Sequence, residues 1–198
     1  EGRPLLAETA ITDAGTGRVR VAPVLVTSRV TGYQRRAVGS HDNLGTTRLE
    51  LPPQELETRA VVFTWDDDDR RSRAALDAGC DAATLPGALH AAEHGAIGML
   101  GLFGLCDRWD VGGLSTADHP DTGGPTVLIH DGYPGGAGIA ELAERVAEEH
   151  LAATRTAIAE CTCEAGCPSC VQSPKCGNLN EPLDKAGALI AIDALLGR

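Results

Sequence analysis

"VRVAPVLVTSRVTGYQRR" (Val19–Arg36) reads as extended chain, rich in Val and Thr and interrupted by a glycine before Tyr33. Two runs of the same kind follow, "TTRLEL" (Thr46–Leu51) and "TRAVVFTW" (Thr58–Trp65), set apart by Gly, Asn and Pro. Together they predict a small antiparallel sheet or barrel from about Val19 to Trp65. Four consecutive aspartates, Asp66–Asp69, close this region. Hard-cation loops alternate their ligands around a glycine turn, so this run is expected to be a solvated loop or helix start.

Beyond it the pattern changes. "RRSRAALDAGC" (Arg70–Cys80) predicts a short helix ending near Gly79, and "LPGALHAAEHGAIGMLGLFGLC" (Leu85–Cys106) a long one starting near Pro86. The second is apolar on nearly every side, which predicts burial. "DRWDVGGLST" and "GGPTVLIHD" have strand character. "GGAGIAELAERVAEEHLAATRTAIAEC" then predicts a helix with Ile139, Leu142 and Val146 on one stripe and Glu141 four residues before Arg145. "EPLDKAGALIAIDALLGR" (Glu181–Arg198) predicts a closing apolar helix. Strands first and mixed elements afterwards make the fold class α+β: a β-rich segment, 1–65, leading into a mixed domain, 66–198, the two able to form one compact unit.

The 198 residues carry a formal net charge of −11 and are 42% hydrophobic, with few aromatic residues. That suffices for a core of Ala, Leu, Val and Ile without covalent staples. It argues against a surface that binds nucleic acid by bulk charge, so any such binding must be local. "RVTGYQRR" is read either as that local contact or as a solvated edge strand, with Arg29, Tyr33, Arg35 and Arg36 on a short strand pair, Tyr33 and Arg35 on one face and Gln34 and Arg36 on the other. No apolar run reaches the length of a spanning helix and no leader is visible, so a cytoplasmic protein with no membrane partner is expected. The opening on Glu1 and the single Met99 lead to the expectation of a piece of a longer polypeptide.

Five of the seven cysteines fall in "CTCEAGCPSCVQSPKCG" (Cys161–Gly177). Four sulfurs around Zn2+ need bonds of about 2.3 Å and sharp turns between ligand pairs. Cys167-Pro-Ser-Cys170 is such a turn, introduced by Gly166, and Cys161-Thr-Cys163 sets two sulfurs on one side of an extended backbone. Disulfides need an oxidising compartment, and the odd count fits them poorly. A redox pair at Cys167 and Cys170 would normally open a helix after a strand. The expected site is a closed structural zinc clasp between the helix around residues 140–159 and the terminal helix, with Cys176 in reserve as a ligand. Cys80 and Cys106 are expected to be small core residues.

Three further constellations carry expectations. His90-Ala-Ala-Glu93-His94 spells HxxEH, the pattern of inverted zincin metallopeptidases, against the plainer expectation of buried, hydrogen-bonded polar residues. "IHDGYPGGAGIAE" (Ile129–Glu141) is a strand, a glycine turn and a helix start, where N–H groups around Gly135 and Gly136 form a candidate phosphate nest and Tyr133 a candidate stacking platform. Trp109 and Asp110 are expected to be a core anchor and a turn residue.

"HAAEHGAIGMLGLFGLCDRWDVGGLST", "HPDTGGPTVLIHDGYPGGAGIAE" and "CTCEAGCPSCVQSPKCGNLNEPLDKAGALIAIDALL" together resemble the C-terminal zinc-binding domain of MrfA-type DEAD/DEAH-box helicases, the mitomycin-repair family. Residues 30–65 resemble the segment that precedes it. The resemblance implies an accessory domain of an ATP-driven superfamily 2, 3′-to-5′ DNA helicase acting in DNA repair. It implies one Zn2+ on Cys161, Cys163, Cys167 and Cys170, with Cys176 in a tail that only some members show. Neither GxxxxGK[ST] nor a DExH box occurs in the sequence, so ATP and Mg2+ are expected in motor domains elsewhere in the same polypeptide. Two readings stand beside this one: a zinc metallopeptidase centred on residues 90–94, and a zinc module that binds only proteins.

Overall fold

The structure is a computed structural model that describes residues 6–11, 18–40, 42–65 and 70–198. The aspartate run Asp66–Asp69 lies outside them. In chain order the elements are β1 (Leu6–Ile11), β2 (Val19–Arg29), β3 (Gly32–Arg36), β4 (Asn43–Arg48), β5 (Gln54–Thr64), α1 (Arg70–Gly79), α2 (Leu85–Leu100), β6 (Val111–His119), β7 (Gly124–Asp131), α3 (Ile139–Arg145), α4 (Ala147–Glu160) and α5 (Lys185–Leu196). The class is α+β, as the sequence predicts.

Five strands form one antiparallel sheet in the order β1-β2-β5-β7-β6, and β3 and β4 form a separate ribbon. The central pairing of β5 with β7, from Ala60 opposite His130 to Thr64 opposite Thr126, joins strands from both sides of residue 66. Side-chain alternation along β5 then divides the core. Val61 and Phe63 face the helices, in a cluster that includes Leu76 of α1, Leu89 of α2, Ile158 of α4 and Ile192 of α5. Ala60 and Val62 join Val24, Val26 and Leu128 in a smaller cluster on the opposite face. Trp65, at the end of β5, donates its indole N–H to the Ala191 carbonyl at 3.1 Å, tying the sheet to α5.

α2 is buried along nearly its whole length, from Leu85 to Ala96, and packs against α4, α5 and β6. It ends at Leu100, before the predicted apolar run is exhausted, and Leu102 and Leu105 beyond it are exposed. The approach of α5 to α2 is set by small residues. A Cβ on Gly187 would stand 2.6 Å from the Ala88 Cβ, and the Asp184 N–H donates to the Gly87 carbonyl at 3.0 Å. Asp184 also caps α5 by accepting the Gly187 N–H at 2.9 Å, and Gly197, at φ 72°, closes its C-terminus.

Three local expectations are corrected. The single predicted helix after the glycine turn is two, broken at Val146 (φ −106°, ψ 19°). In α3 the buried residues are Ala140 and Ala143 rather than the stripe of Ile139, Leu142 and Val146, because the helix lies close against the sheet. Glu141 pairs with Arg59 of β5 at 3.0 Å, so its charge is met by the sheet and not by Arg145.

Gly187→Val forces branched carbons into the gap held open between α2 and α5. Overpacking of this kind costs about 1–3 kcal/mol, and urea denaturation should show a lowered midpoint. An unchanged midpoint would contradict the close helix approach.

Candidate metal centre

α4 ends at Glu160, and Cys161 leaves it in an extended conformation (φ −69°, ψ 124°). The chain then folds back on itself at Gly166, whose φ of 115° is in the left-handed region and whose Cβ, if present, would meet the Val171 side chain at 2.5 Å. This turn brings four thiols together. The sulfurs of Cys161 and Cys163 are 3.6 Å apart, Cys161 and Cys167 3.5 Å, Cys163 and Cys170 3.5 Å, and Cys167 and Cys170 3.8 Å. Tetrahedral zinc with bonds of about 2.3 Å requires sulfur separations of about 3.8 Å. All seven cysteines of the chain are free of disulfide bonds.

The surroundings suit thiolates held by a cation. The Cys167 N–H donates to the Cys170 sulfur at 3.3 Å. The backbone N–H of Ser169, followed by hydrogen bonding from Cys161, lowers the Cys167 pKa to about 7. Burial, by contrast, pushes Cys170 up to about 12. One thiol of the group ionises readily because a backbone donor meets it, and another resists because it is buried. A divalent metal removes that resistance. Lys185, the first residue of α5, donates to the carbonyls of Cys161 and Cys163 at 2.5 and 2.7 Å. The four-sulfur group therefore joins the end of α4 to the start of α5.

Cys176 stands apart from this group. Its tail is pinned by Asn180, which accepts the Ser173 N–H at 2.7 Å and donates to the Ser173 carbonyl at 3.1 Å. Lys175 adds bonds of 2.6 Å to the carbonyls of both Arg108 and Val111. These anchors carry Cys176 to α2, where its sulfur lies 3.3 Å from His90 Nε2 and within 4.8 Å of the ligating atoms of both His90 and His94. Cys161, not Cys176, completes the four-sulfur group. Sequence spacing leaves this choice open because the decisive neighbour of Cys176 is 86 residues away.

The HxxEH residues are buried and hydrogen-bonded. His90 Nδ1 donates to the Pro182 carbonyl at 2.8 Å and His94 Nδ1 to the Val171 carbonyl at 2.9 Å. Burial lowers both histidine pKa values, that of His94 to about 4 with a further contribution from His90. Glu93 accepts the Ser115 hydroxyl at 2.6 Å and is pushed up to about 7 by burial.

At the glycine turn the anion is the chain's own. The Asp131 carboxylate accepts the N–H groups of Ala137, Ile139 (3.2 Å) and Ala140 (2.9 Å). Gly135 N–H goes to the Glu57 carbonyl and Gly136 N–H to that of Tyr133. In the candidate phosphate nest the N–H groups of Gly135 and Gly136 therefore bond to backbone carbonyls, and those of the helix start to Asp131. Tyr133 is exposed and donates its hydroxyl to Asp110 at 2.5 Å. Trp109 is not a core anchor; it is 68% exposed, with the Lys175 ammonium 5.2 Å from its ring centre. Asp110 is a turn residue, accepting the Asp107 N–H at 2.9 Å. Cys80 is buried and Cys106 half-buried against the core, and burial raises both thiol pKa values.

Arg29, Tyr33, Arg35 and Arg36 are all exposed, at the end of β2 and along β3. Gln34 and Arg36 share a face, bonded at 3.4 Å, although the ribbon bulges between Arg35 and Arg36.

The family described as the MrfA Zn-binding domain matches residues 92–171, from within α2 to just past Cys170. An uncharacterised protein of Methanocaldococcus jannaschii, MJ1572.1, is 35% identical over 54% of this chain and 99% of its own length. The uncharacterised ATP-dependent helicase YprA of Bacillus subtilis is 30% identical over 75% of this chain, which spans only 19% of the helicase. A crystal structure of the DUF1998 helicase MrfA bound to DNA shares the fold, with a TM-score of 0.65 and 24% identity over 96% of this chain and 24% of that one. A second MrfA structure, bound to DNA and AMPPNP, gives a TM-score of 0.51 and 23% identity over 92% of this chain and 22% of that one. These relatives do not favour a peptidase centred on HxxEH. With a family segment that runs through the buried helix into a convergent four-cysteine group, the chain belongs to the MrfA Zn-binding domain family.

Proposed function

We propose that this chain is the accessory zinc-binding domain of an ATP-dependent superfamily 2 DNA helicase that moves 3′ to 5′ and serves DNA repair in the cytoplasm. The observation that carries the reading is the convergence of Cys161, Cys163, Cys167 and Cys170 within the family segment. One Zn2+ on these four sulfurs is structural: four protein ligands close the tetrahedron and leave no position for substrate. Its work is to lock α4 to α5 across a stretch of chain that has no regular secondary structure. ATP and Mg2+ belong to motor domains of the same polypeptide, a division supported by the small share of the helicase YprA that this chain spans.

Single-stranded DNA is the proposed second partner. An acidic chain needs a local basic surface to hold it, and the exposed Arg29, Arg35 and Arg36 beside Tyr33 provide one. The exposed ring of Tyr133 is a further stacking surface. The domain positions the strand for the motor and does no chemistry on it.

Metal analysis of the purified chain tests the zinc site. Cys167→Ser should lose one zinc equivalent per chain and melt at a lower temperature, because metal affinity at a structural site is folding free energy. Equal zinc content and equal melting temperature in the variant would refute the four-thiolate clasp.

Fluorescence anisotropy with a labelled oligothymidine tests the DNA surface. Replacing Arg35 and Arg36 together with Ala should weaken binding and flatten the dependence of log K on log[salt] by about 0.7 for each phosphate no longer neutralised. Identical affinity and slope would remove the ribbon from the proposed interface.

A further inference from the structure

Two imidazoles and a thiol converge beside α2, outside the four-cysteine group. His90 and His94 stand four residues apart on one helical face, their ring centres 4.3 Å apart at an interplanar angle of 61°. Each ring has its Nδ1 against a backbone carbonyl. A carbonyl only accepts, so both rings carry their proton on Nδ1 and present a bare Nε2 lone pair. Holding one ring nitrogen by a backbone acceptor is also the arrangement that orients metal-binding histidines. Cys176 brings the third donor atom, oriented in turn by the Asn180 N–H at 3.3 Å from its sulfur.

All three residues are buried. A proton is shared along one pair at a time, such as the Cys176 sulfur and His90 Nε2 at 3.3 Å, whereas a cation can bond to three donor atoms at once. One cation between the three satisfies them all. Tetrahedral zinc requires nitrogen and sulfur ligands to stand about 3.5 Å apart, and the ligating atoms here lie within 4.8 Å of one another.

We propose that His90, His94 and Cys176 form a second metal site, distinct from the four-cysteine clasp, for Zn2+ or another borderline divalent ion that accepts nitrogen and sulfur. Its coordination differs from that of the clasp. Among the described residues three protein ligands converge, and they border a cavity of about 420 Å³. The fourth position is taken by a water or small anion from that cavity, whose wall also carries Arg108 and Lys175. The site pins the tail after the clasp to α2, so that the cysteine segment is fixed at both ends.

The test counts metal on the whole chain, saturated with Zn2+ and freed of excess by gel filtration, by mass spectrometry against amino-acid analysis. Two equivalents are expected in the wild type and one each in Cys176→Ser and His94→Gln. Cys167→Ser should retain the other equivalent, so failure of this site is distinguishable from failure of the clasp. Loading with Co2+ provides a second readout that does not depend on the variants folding. The wild type should take up two equivalents with different visible spectra, one of all-sulfur and one of mixed nitrogen and sulfur character. A single equivalent in the saturated wild type, or an unchanged count in a folded Cys176→Ser, overturns the proposal, and the trio is then a buried Cys–His hydrogen bond.

Discussion

Between the end of α4 and the start of α5 lie 24 residues, 161–184, that form no helix or strand, yet they set how two buried helices meet the rest of the domain. Neither ladder hydrogen bonds nor a continuous apolar face holds such a stretch. Its course depends on four sulfurs brought to within bonding distance of a common centre and on lysines that bind its carbonyls or anchor its tail. Lys185 fixes the first cysteine pair to α5, and Lys175 fixes the tail to the chain leading into β6. Without a cation at the sulfurs, crowded thiolates repel one another. With one, the same crowding becomes the clasp.

This constraint explains features elsewhere that otherwise look costly. α2 is rich in glycine and buried on nearly every side, which its own helix propensity does not favour. The glycines admit close neighbours instead: Gly95 lies against Ile158 of α4, and Gly87 against the turn before α5. α4 and α5, the two helices joined by the clasp, are the ones that press on α2. Arg155 and Asp193 add a paired bond of 2.6 and 3.0 Å between them on the outside.

Much of this is legible in the sequence, because its signals are local. The Val- and Thr-rich runs form β2 and β5, and apolar patterning marks α1, α2 and α5 within a few residues. Cys161, Cys163, Cys167 and Cys170 can be read as a metal site because their turns are encoded by adjacent Gly and Pro. What escapes depends on distant partners. β1, with the sequence LAETAI, lacks strong strand preference and is extended through its pairing with β2. The glycine turn carries a fair anion-binding signal, but Asp131, at the end of the preceding strand, claims the donors at the helix start. Trp109 is large and apolar, yet it lies at the surface with the Lys175 ammonium over its ring. Cys176 looks like a spare ligand for its sequence neighbours and instead meets helix α2.

That the four cysteines hold one zinc ion in an all-sulfur shell is tested most directly by X-ray absorption at the zinc edge. The Cys176→Ser chain is the sample of choice, because it isolates the clasp from the second cluster. A first shell fitted by four sulfur atoms at about 2.3 Å is the expected result. A shell that requires nitrogen or oxygen ligands would contradict it.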